Sequence, residues 1–189
     1  MKDRLPLMEM QSMNDAQRQA AEALIAGPRK GVIGPFIPLL RSPELLDRMQ
    51  RVGEYLRFRN TIPQKLVELA ILITARHVDN AFEWVVHQPL AMKEGVSRAT
   101  IEAINAGRRP EAMGDDEASV HDFVRELLQT SFVADPAYAR VLERFGEQGV
   151  VDLSGTVGYF VAVCYVMNVA GTPAPAAAAD AMPLAPIRR

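Results

Sequence analysis

One glutamate interrupts an otherwise apolar stretch of the sequence. Residues 66–73 read Leu-Val-Glu-Leu-Ala-Ile-Leu-Ile, and Glu68 is the polar member of that run. A carboxylate that is buried without a partner is costly, so such a group must be paired, hydrogen-bonded or protonated. We therefore interpret Glu68 as a candidate for proton chemistry.

Glu83 and His87 follow on the next predicted helix, four residues apart. This spacing projects both side chains from one helix face. An imidazole beside a carboxylate titrates near neutral pH and can pass protons in either direction. A short connection around Val78 and Asp79 predicts antiparallel neighbouring helices, which would bring these two groups and the buried glutamate to one pocket.

Each of these residues also has a structural interpretation. Glu83 falls at the third helical position, where a capping box places its return partner. His87 on a half-apolar helix can be a satisfied core histidine, and Glu68 can form an ion pair with Arg76 or Arg98. Two glutamates and a histidine also match a metal triad in type, but the repeated Glu-x-x-His of a di-iron bundle is missing from the sequence, so we predict no metal.

The composition narrows the class of protein. The 189 residues are 49% hydrophobic, as in an ordinary soluble domain, and their net charge is −2 with scattered Lys and Arg, which argues against a nucleic-acid partner. The sequence begins without the apolar stretch of a secretory signal and contains no run of eighteen apolar residues, so we predict a cytoplasmic protein without a membrane partner. The single cysteine, Cys164, excludes an intrachain disulfide.

Helical periodicity and capping signals predict an all-α fold of about seven helices, with residues 1–171 as one domain and no strands. The predicted helices run from about 14 to 26, from Ser42-Pro43, from a Thr61–Gln64 capping box, from Asp79 or Asn80 to about 95, from 97 to 107, from Asp115 or Asp116, from Asp135-Pro136, and from about 153 to 169. The Gly- and Pro-rich segment 27–38 predicts an ordered loop.

The last predicted helix is apolar on nearly all sides, and the Ala- and Pro-rich tail of residues 172–189 follows it. A helix of that kind must be buried centrally or at a subunit interface, which favours a homo-oligomer. We expect the tail to be disordered or packed on another subunit.

The block ELAILITARHVDNAFEWVVHQPLAMKEGVS resembles the core of the carboxymuconolactone decarboxylase family, which includes the alkylhydroperoxidase D-like proteins. The flanking segments GPRKGVIGPFIPLLRSPELLDRMQRVGEYLRF, VHDFVRELL and FGEQGVVDLSGTVGYF are also similar, so the resemblance covers roughly residues 20 to 170. It implies a helical bundle of the alkylhydroperoxidase D-like type and a homo-oligomer.

The departure from the redox branch of that family bears on function. That branch carries a Glu, then Cys-x-x-Cys, then a His four residues after the second cysteine. Glu68 and His87 match the outer residues, but Asn80 and Glu83 occupy the two cysteine positions. Peroxide reduction needs a thiolate and a resolving thiol, and Cys164 lies in an apolar run where a buried residue is expected. The resemblance therefore implies the cysteine-free decarboxylase branch, which acts on lactones of aromatic catabolism without a cofactor.

We accordingly expect a cofactor-independent decarboxylase whose partner is a small carboxylated lactone or a related β-keto-like acid. His87 is the expected proton-transfer residue, Glu83 its orienting partner, and Glu68 the second acid. A carboxylate-bearing substrate also needs a cation, for which Arg76 and Arg41 are the candidates.

Trp84 and Asn80, on the same helix as the Glu/His pair, complete the predicted substrate-binding residues. His77 is interpreted as complementing a helix dipole and His121 as structural. Two alternatives stay open: a non-catalytic helical protein whose pocket binds a small ligand or serves assembly, and a residual peroxidase that uses Cys164.

Overall fold

The protein is described by a computed structural model that covers residues 2–176 and 181–186. These residues form eight α-helices and a short 3-10 turn, and they contain no strand. The helices are α1 (Asp15–Ala26), α2 (Phe36–Leu39), α3 (Pro43–Phe58), α4 (Gln64–His77), α5 (Ala81–Lys93), α6 (Arg98–Asn105), α7 (Asp115–Thr130) and α8 (Asp135–Ala170). The prediction of an all-α fold with about seven helices is confirmed.

Helix α4 lies at the centre of the fold. Residues 66–75 are all buried, and α4 packs against α5, α7 and α8. A helix surrounded by other helices needs no polar face, which explains why residues 66–73 are apolar apart from Glu68. A carboxylate within that run is separated from bulk water, so neighbouring helices must supply its partners.

Helix α8 is bent at Gly146, whose backbone has φ 68° and ψ −178°. Glycine adopts this left-handed φ without a Cβ penalty. The bend separates the two helices predicted from Asp135-Pro136 and from about residue 153, although the second begins earlier than predicted. By length and composition α8 could cross a membrane, but half of its most apolar window is buried inside the fold, as in a core helix.

Two local predictions are wrong. Thr61 does not cap α4, because its hydroxyl and its backbone N–H donate to the buried carboxylate of Asp152 at 3.0 and 3.1 Å, and the helix begins at Gln64. The segment 27–38, predicted as a loop throughout, contains the start of α2. Proline is tolerated in a first helical turn, where its missing N–H has no helical partner to lose.

Part of the C-terminal tail packs on its own chain. The side chains of Trp84 and Gln88 donate to the carbonyl of Met182 at 2.9 and 3.1 Å, and the Met182 N–H donates to Gln88 Oε1 at 2.7 Å. The expected packing on another subunit is therefore wrong for residues 181–186. The expectation for 177–180 and 187–189 lies outside the described residues, and the predicted domain boundary stays a prediction.

Candidate functional site

Three ionisable side chains from two helices form a continuous chain. Glu68 Oε2 on α4 lies 2.6 Å from His87 Nδ1, and His87 Nε2 lies 3.0 Å from Glu83 Oε2 on the same α5 helix. All three residues are buried, with exposed fractions of 1% for Glu68, 2% for His87 and 4% for Glu83. The structure thus brings together the three residues that sequence spacing predicted to converge.

The turn between α4 and α5 sets this convergence. Asp79 adopts φ 56°, a left-handed conformation that aspartate tolerates better than most residues. Asn80 Oδ1 then accepts the Glu83 N–H at 2.8 Å and caps α5, while Asn80 Nδ2 donates to Asn168 Oδ1 on α8 at 2.8 Å. The carboxylate of Glu83 is bound to the imidazole rather than returned to the cap, so its interpretation as a capping-box partner is wrong.

The second oxygen of Glu68 is also occupied. Gln64 Nε2 donates to Glu68 Oε1 at 2.9 Å, one turn earlier on α4. Gln64 and His87 together hold both carboxylate oxygens, and neither Arg76 nor Arg98 contacts them. The predicted structural ion pair with one of these arginines is therefore wrong.

The two carboxylates set the protonation of the imidazole. Burial alone would lower the pKa of His87, but its interactions with Glu68 and Glu83 outweigh burial, so that this pKa is raised. Phe160 packs edge-to-face on the ring, with the centroids 5.4 Å apart, and fixes its plane. Each ring nitrogen therefore faces a carboxylate oxygen, an arrangement that favours the doubly protonated imidazolium over the neutral ring.

Glu83 and His87 line a cavity of about 50 Å³, named here the His87 cavity. Its wall is built by Arg29, Ile33, Gly34, Pro35, Phe36, Arg57, Phe82, Glu83, Val86, His87, Tyr159, Phe160 and Val163. Ile33 is 57% exposed, so the cavity borders solvent on that side. Glu68 does not line it, because its carboxylate is enclosed between Gln64 and the imidazole.

Two arginines and a tyrosine give this cavity a positive wall. Burial lowers the pKa of Arg29 and raises the pKa of Tyr159, and the two side chains interact. The Nε of Arg57 is buried and has no hydrogen-bond partner among the described residues. Gly53 makes the arrangement possible, since a Cβ at that position would collide with the Tyr159 hydroxyl. Desolvated donors with unfilled capacity, next to an acid–base pair, favour an anionic ligand.

The four residues predicted to bind substrate lie elsewhere. Arg41 donates to the backbone carbonyls of Leu5 and Pro6 near the N-terminus and of Ile37 on α2. Arg76 donates to the C-terminal end of α6, Trp84 is fully buried against the tail, and Asn80 caps α5. None of the four lines the His87 cavity, and their part in binding substrate stays a prediction.

Arg29, Arg57 and Tyr159 were missed by sequence reasoning. They come from the loop before α2, from α3 and from α8, so only the tertiary fold assembles them. A weak signal exists for one of them: Tyr159 carries the phenol hydroxyl of the segment GTVGYF, which contains no charged residue.

The cysteine chemistry of the redox branch has no counterpart here. Asn80 and Glu83, at the two motif positions, are joined by the helix cap. Cys164 is fully buried on α8, and burial raises the pKa of its thiol far above the ordinary value. Among the described residues, no group of three or more His, Cys, Asp or Glu side chains is arranged to hold a metal ion.

Comparison with known proteins supports the family resemblance. Residues 43–125 match the model of the Carboxymuconolactone decarboxylase family. A solved structure from Ralstonia eutropha JMP134, described as an alkylhydroperoxidase AhpD core and an uncharacterized peroxidase-related protein, superposes with a TM-score of 0.73 at 15% identity over 92% of each chain. A putative antioxidant defence protein AhpD from Agrobacterium tumefaciens superposes with a TM-score of 0.64 at 15% identity, over 72% of this chain and 94% of its own. No curated protein sequence matches the chain.

Proposed function

We propose that this chain, which matches the model of the Carboxymuconolactone decarboxylase family over residues 43–125, is a cofactor-independent acid–base enzyme that decarboxylates a small carboxylated lactone. The observation that carries the proposal is the buried Glu68–His87–Glu83 chain, whose last two members line a cavity with two arginines in its wall. Such a pairing of a proton-transfer group with a positive wall suits a reaction that forms a carbanion and then protonates it.

The geometry favours an exchange of the roles expected for the two glutamates. Glu68 was expected to be the second acid, but it does not line the cavity, and it holds the imidazole by Nδ1. We assign Glu68 as the positioning residue and the His87–Glu83 pair as the proton donor to substrate. The same division operates wherever a buried carboxylate fixes the tautomer of a working histidine.

In the proposed reaction the bond between the carboxylate carbon and the ring breaks, and carbon dioxide leaves. The bonding electron pair stays on the ring carbon and is delocalised onto the neighbouring carbonyl oxygen as an enolate. The His87–Glu83 pair then donates a proton to that carbon and regains one from water. Arg29 and Arg57 hold the enolate oxygen, because a cation placed on the leaving carboxylate would stabilise the reactant and oppose the loss of carbon dioxide.

The size of the cavity constrains how substrate binds. A volume of about 50 Å³ can hold a few water molecules but is well below the pockets of about 300–1,000 Å³ that enclose whole small-molecule ligands. The loop of residues 29–35 forms the one part of the wall that is not helical. We propose that this loop moves outward when substrate binds.

The test is a screen of carboxylated lactones and β-keto acids for release of carbon dioxide by the wild-type protein and by His87→Ala. We expect turnover of at least one substrate and a fall in kcat of about 10²–10⁴-fold in the variant, the usual contribution of general acid–base catalysis. His77→Ala serves as the matched control and should keep wild-type turnover. Equal turnover by His87→Ala, or no release from any compound, contradicts the proposal.

A non-catalytic protein that binds a small carboxylate is the second candidate, because the two arginines of the cavity wall suit an anion whether or not it reacts. In that case the same compounds would bind without releasing carbon dioxide. Calorimetric titration of the compounds with the wild-type protein and Arg57→Gln separates the two functions, since binding without turnover supports the second.

We also propose self-association through the outer face of α8. Six uncharged residues at helical spacing are exposed along it: Val151, Gly155, Gly158, Ala162, Tyr165 and Val169. Val169 is 68% exposed, so this helix is only partly buried within its own chain. Light scattering coupled to size-exclusion chromatography should give a mass above 20.8 kDa, reduced in Val169→Lys.

A further inference from the structure

A second polar hollow, named here the basic cleft, lies where the ends of α4 and α6 meet α7. It has a volume of about 330 Å³ and presents the side chains of Arg76, His77, His121, Arg125 and Gln129. Among the described residues that line it, none carries a carboxylate. No step of the proposed reaction uses this cleft, which is larger than the His87 cavity and shares no lining residue with it.

The side chains of Arg76 and Arg125 both approach Gly107, which lines the cleft. Arg76 Nε donates to the carbonyl of Asn105 at 2.7 Å, and its Nη2 lies 3.9 Å from the Cβ position of Gly107. Arg125 Nη1 makes a long contact of 3.5 Å with the Gly107 carbonyl. Neither arginine forms a salt bridge within residues 2–176 and 181–186. The cleft therefore holds two guanidinium groups that have no carboxylate within ion-pairing distance among the described residues.

His121 adds an unfilled acceptor to this wall. Its Nδ1 lies 3.0 Å from Asp122 Oδ1, and the residue is 3% exposed. Burial alone would raise the pKa of Asp122, but Arg109 and His121 lower it, so the aspartate is ionised and Nδ1 carries the donated hydrogen. Burial lowers the pKa of His121, which leaves the ring neutral. Its Nε2 is then a lone pair, and it has no partner among the described residues.

We propose that the basic cleft binds a small oxyanion that also carries a hydroxyl hydrogen, such as hydrogen phosphate or a 2-hydroxycarboxylate. Arg76 and Arg125 donate to the anionic oxygens, and His121 Nε2 accepts the hydroxyl. The structural alternative is that both arginines only cap the carbonyls at the end of α6. Capping accounts for one nitrogen of each arginine, but it leaves the remaining guanidinium donors and the imidazole acceptor unfilled.

The experiment titrates the full-length protein with inorganic phosphate and with sulfate, and follows the imidazole resonances of its three histidines by NMR. Phosphate keeps a hydroxyl hydrogen at neutral pH and sulfate does not, so the pair isolates the role of His121. We expect saturable shifts at His77 and His121 with phosphate, at least tenfold weaker binding of sulfate, and an unchanged His87. Glycolate and acetate form the equivalent pair for the carboxylate source, with glycolate the tighter.

Variants of the arginines decide between binding and capping. Arg125→Gln and Arg76→Gln should each weaken phosphate at least tenfold, while Arg125→Lys retains part of the affinity and guards against misfolding of the neutral variants. Arg98→Gln, on an exposed arginine of α6 paired with Glu102, should leave phosphate binding unchanged. Absence of saturable shifts at His77 and His121, equal affinity for phosphate and sulfate, or full affinity in Arg125→Gln overturns the proposal.

Discussion

The His87 cavity and the basic cleft each contain a buried imidazole, and the pKa values of the two rings are shifted in opposite directions. His87 has a carboxylate at each nitrogen, and its pKa is raised. His121 has a carboxylate at one nitrogen and arginines nearby, and its pKa is lowered. Burial penalises the charged form in both places, so the number and sign of the neighbours decide the outcome. The first arrangement suits proton transfer, and the second suits acceptance of a ligand hydrogen.

Removing the negative charge of Glu68, which positions the imidazole of His87, should have the largest effect on the difference between the two histidines. Glu68→Gln preserves the shape of the side chain but donates or accepts at His87 Nδ1 without a negative charge. We expect the pKa of His87 to fall and kcat for decarboxylation to drop by about 10²–10⁴-fold. Steady-state kinetics and NMR titration of the imidazole measure the two effects.

Glu117→Gln provides the matched control for that substitution. Glu117 is also largely buried, and it pairs with Lys65 away from the His87 cavity. The Glu117→Gln variant should keep kcat within about twofold of wild type, since Glu117 contacts no group in the His87 cavity. Equal losses in both variants would attribute the effect of Glu68 to folding rather than to positioning.

The positive wall of the His87 cavity can be tested through Gly53. A Cβ there would collide with Tyr159 and approach Arg29 Nη2 at 3.0 Å, so Gly53→Ala should displace both side chains. We expect a loss of about 1–3 kcal/mol in the free energy of unfolding, as for an overpacked core. At Gly158, an exposed position of α8, an added Cβ would meet no atom within 4 Å. Gly158→Ala should therefore raise the free energy of unfolding by up to about 1 kcal/mol. Urea unfolding compares the two, and equal effects would remove the steric role of Gly53.

The pH dependence of stability should differ in sign between the two histidines. The contribution of His87 is complete below the pKa of an unfolded histidine, about 6.5, and is lost as the pH rises through the raised folded value, at about 1.4 kcal/mol for each tenfold change in proton affinity. The contribution of His121 is present above about pH 6.5 and is lost as the pH falls toward its lowered folded value.

Urea unfolding between pH 5 and 9 of the wild type, His87→Gln and His121→Gln measures these contributions. The difference between wild type and His87→Gln should shrink toward high pH, and the difference between wild type and His121→Gln should shrink toward low pH. If both differences changed with pH in the same direction, Glu68 and Glu83 would not control the pKa of His87.

The smallest effect is expected for the carboxylate partner of the second imidazole. Asp122→Asn makes the same chemical change as Glu68→Gln, but Asp122 also pairs with exposed Arg109 and Arg140 near the surface. We expect a loss of no more than about 1 kcal/mol in the free energy of unfolding and unchanged kcat. Thermal unfolding and kinetics check this, and a large fall in kcat would couple the basic cleft to the reaction.

Sequence reasoning predicted the residues that short-range geometry places. Glu68 is conspicuous because a charge in a buried helix needs a partner, and the four-residue spacing of Glu83 and His87 puts both on one face of α5. The fold class followed from helical periodicity in the same way, since that periodicity is a property of neighbouring residues.

Contacts between residues far apart in the sequence explain the predictions that were wrong. Thr61 has the sequence of a helix cap, but Asp152, 91 residues later, provides a buried acceptor for it. Arg76 and Arg41 were expected to supply a cation for the substrate, whereas the arginines that line the cavity are Arg29 and Arg57. Such contacts depend on how helices pack, which local patterns do not encode.

The contact between Met182 and the side chains of Trp84 and Gln88 has a consequence for biosynthesis. The ribosome releases residues 181–186 only after every helix has emerged, so a nascent chain carries α5 without the backbone groups that later bind its outer side. The contact of Met182 with α5 therefore forms after α5 itself has been synthesised. A protease that cuts between α8 and Met182 would uncover the indole N–H of Trp84, and intrinsic fluorescence would register the cut.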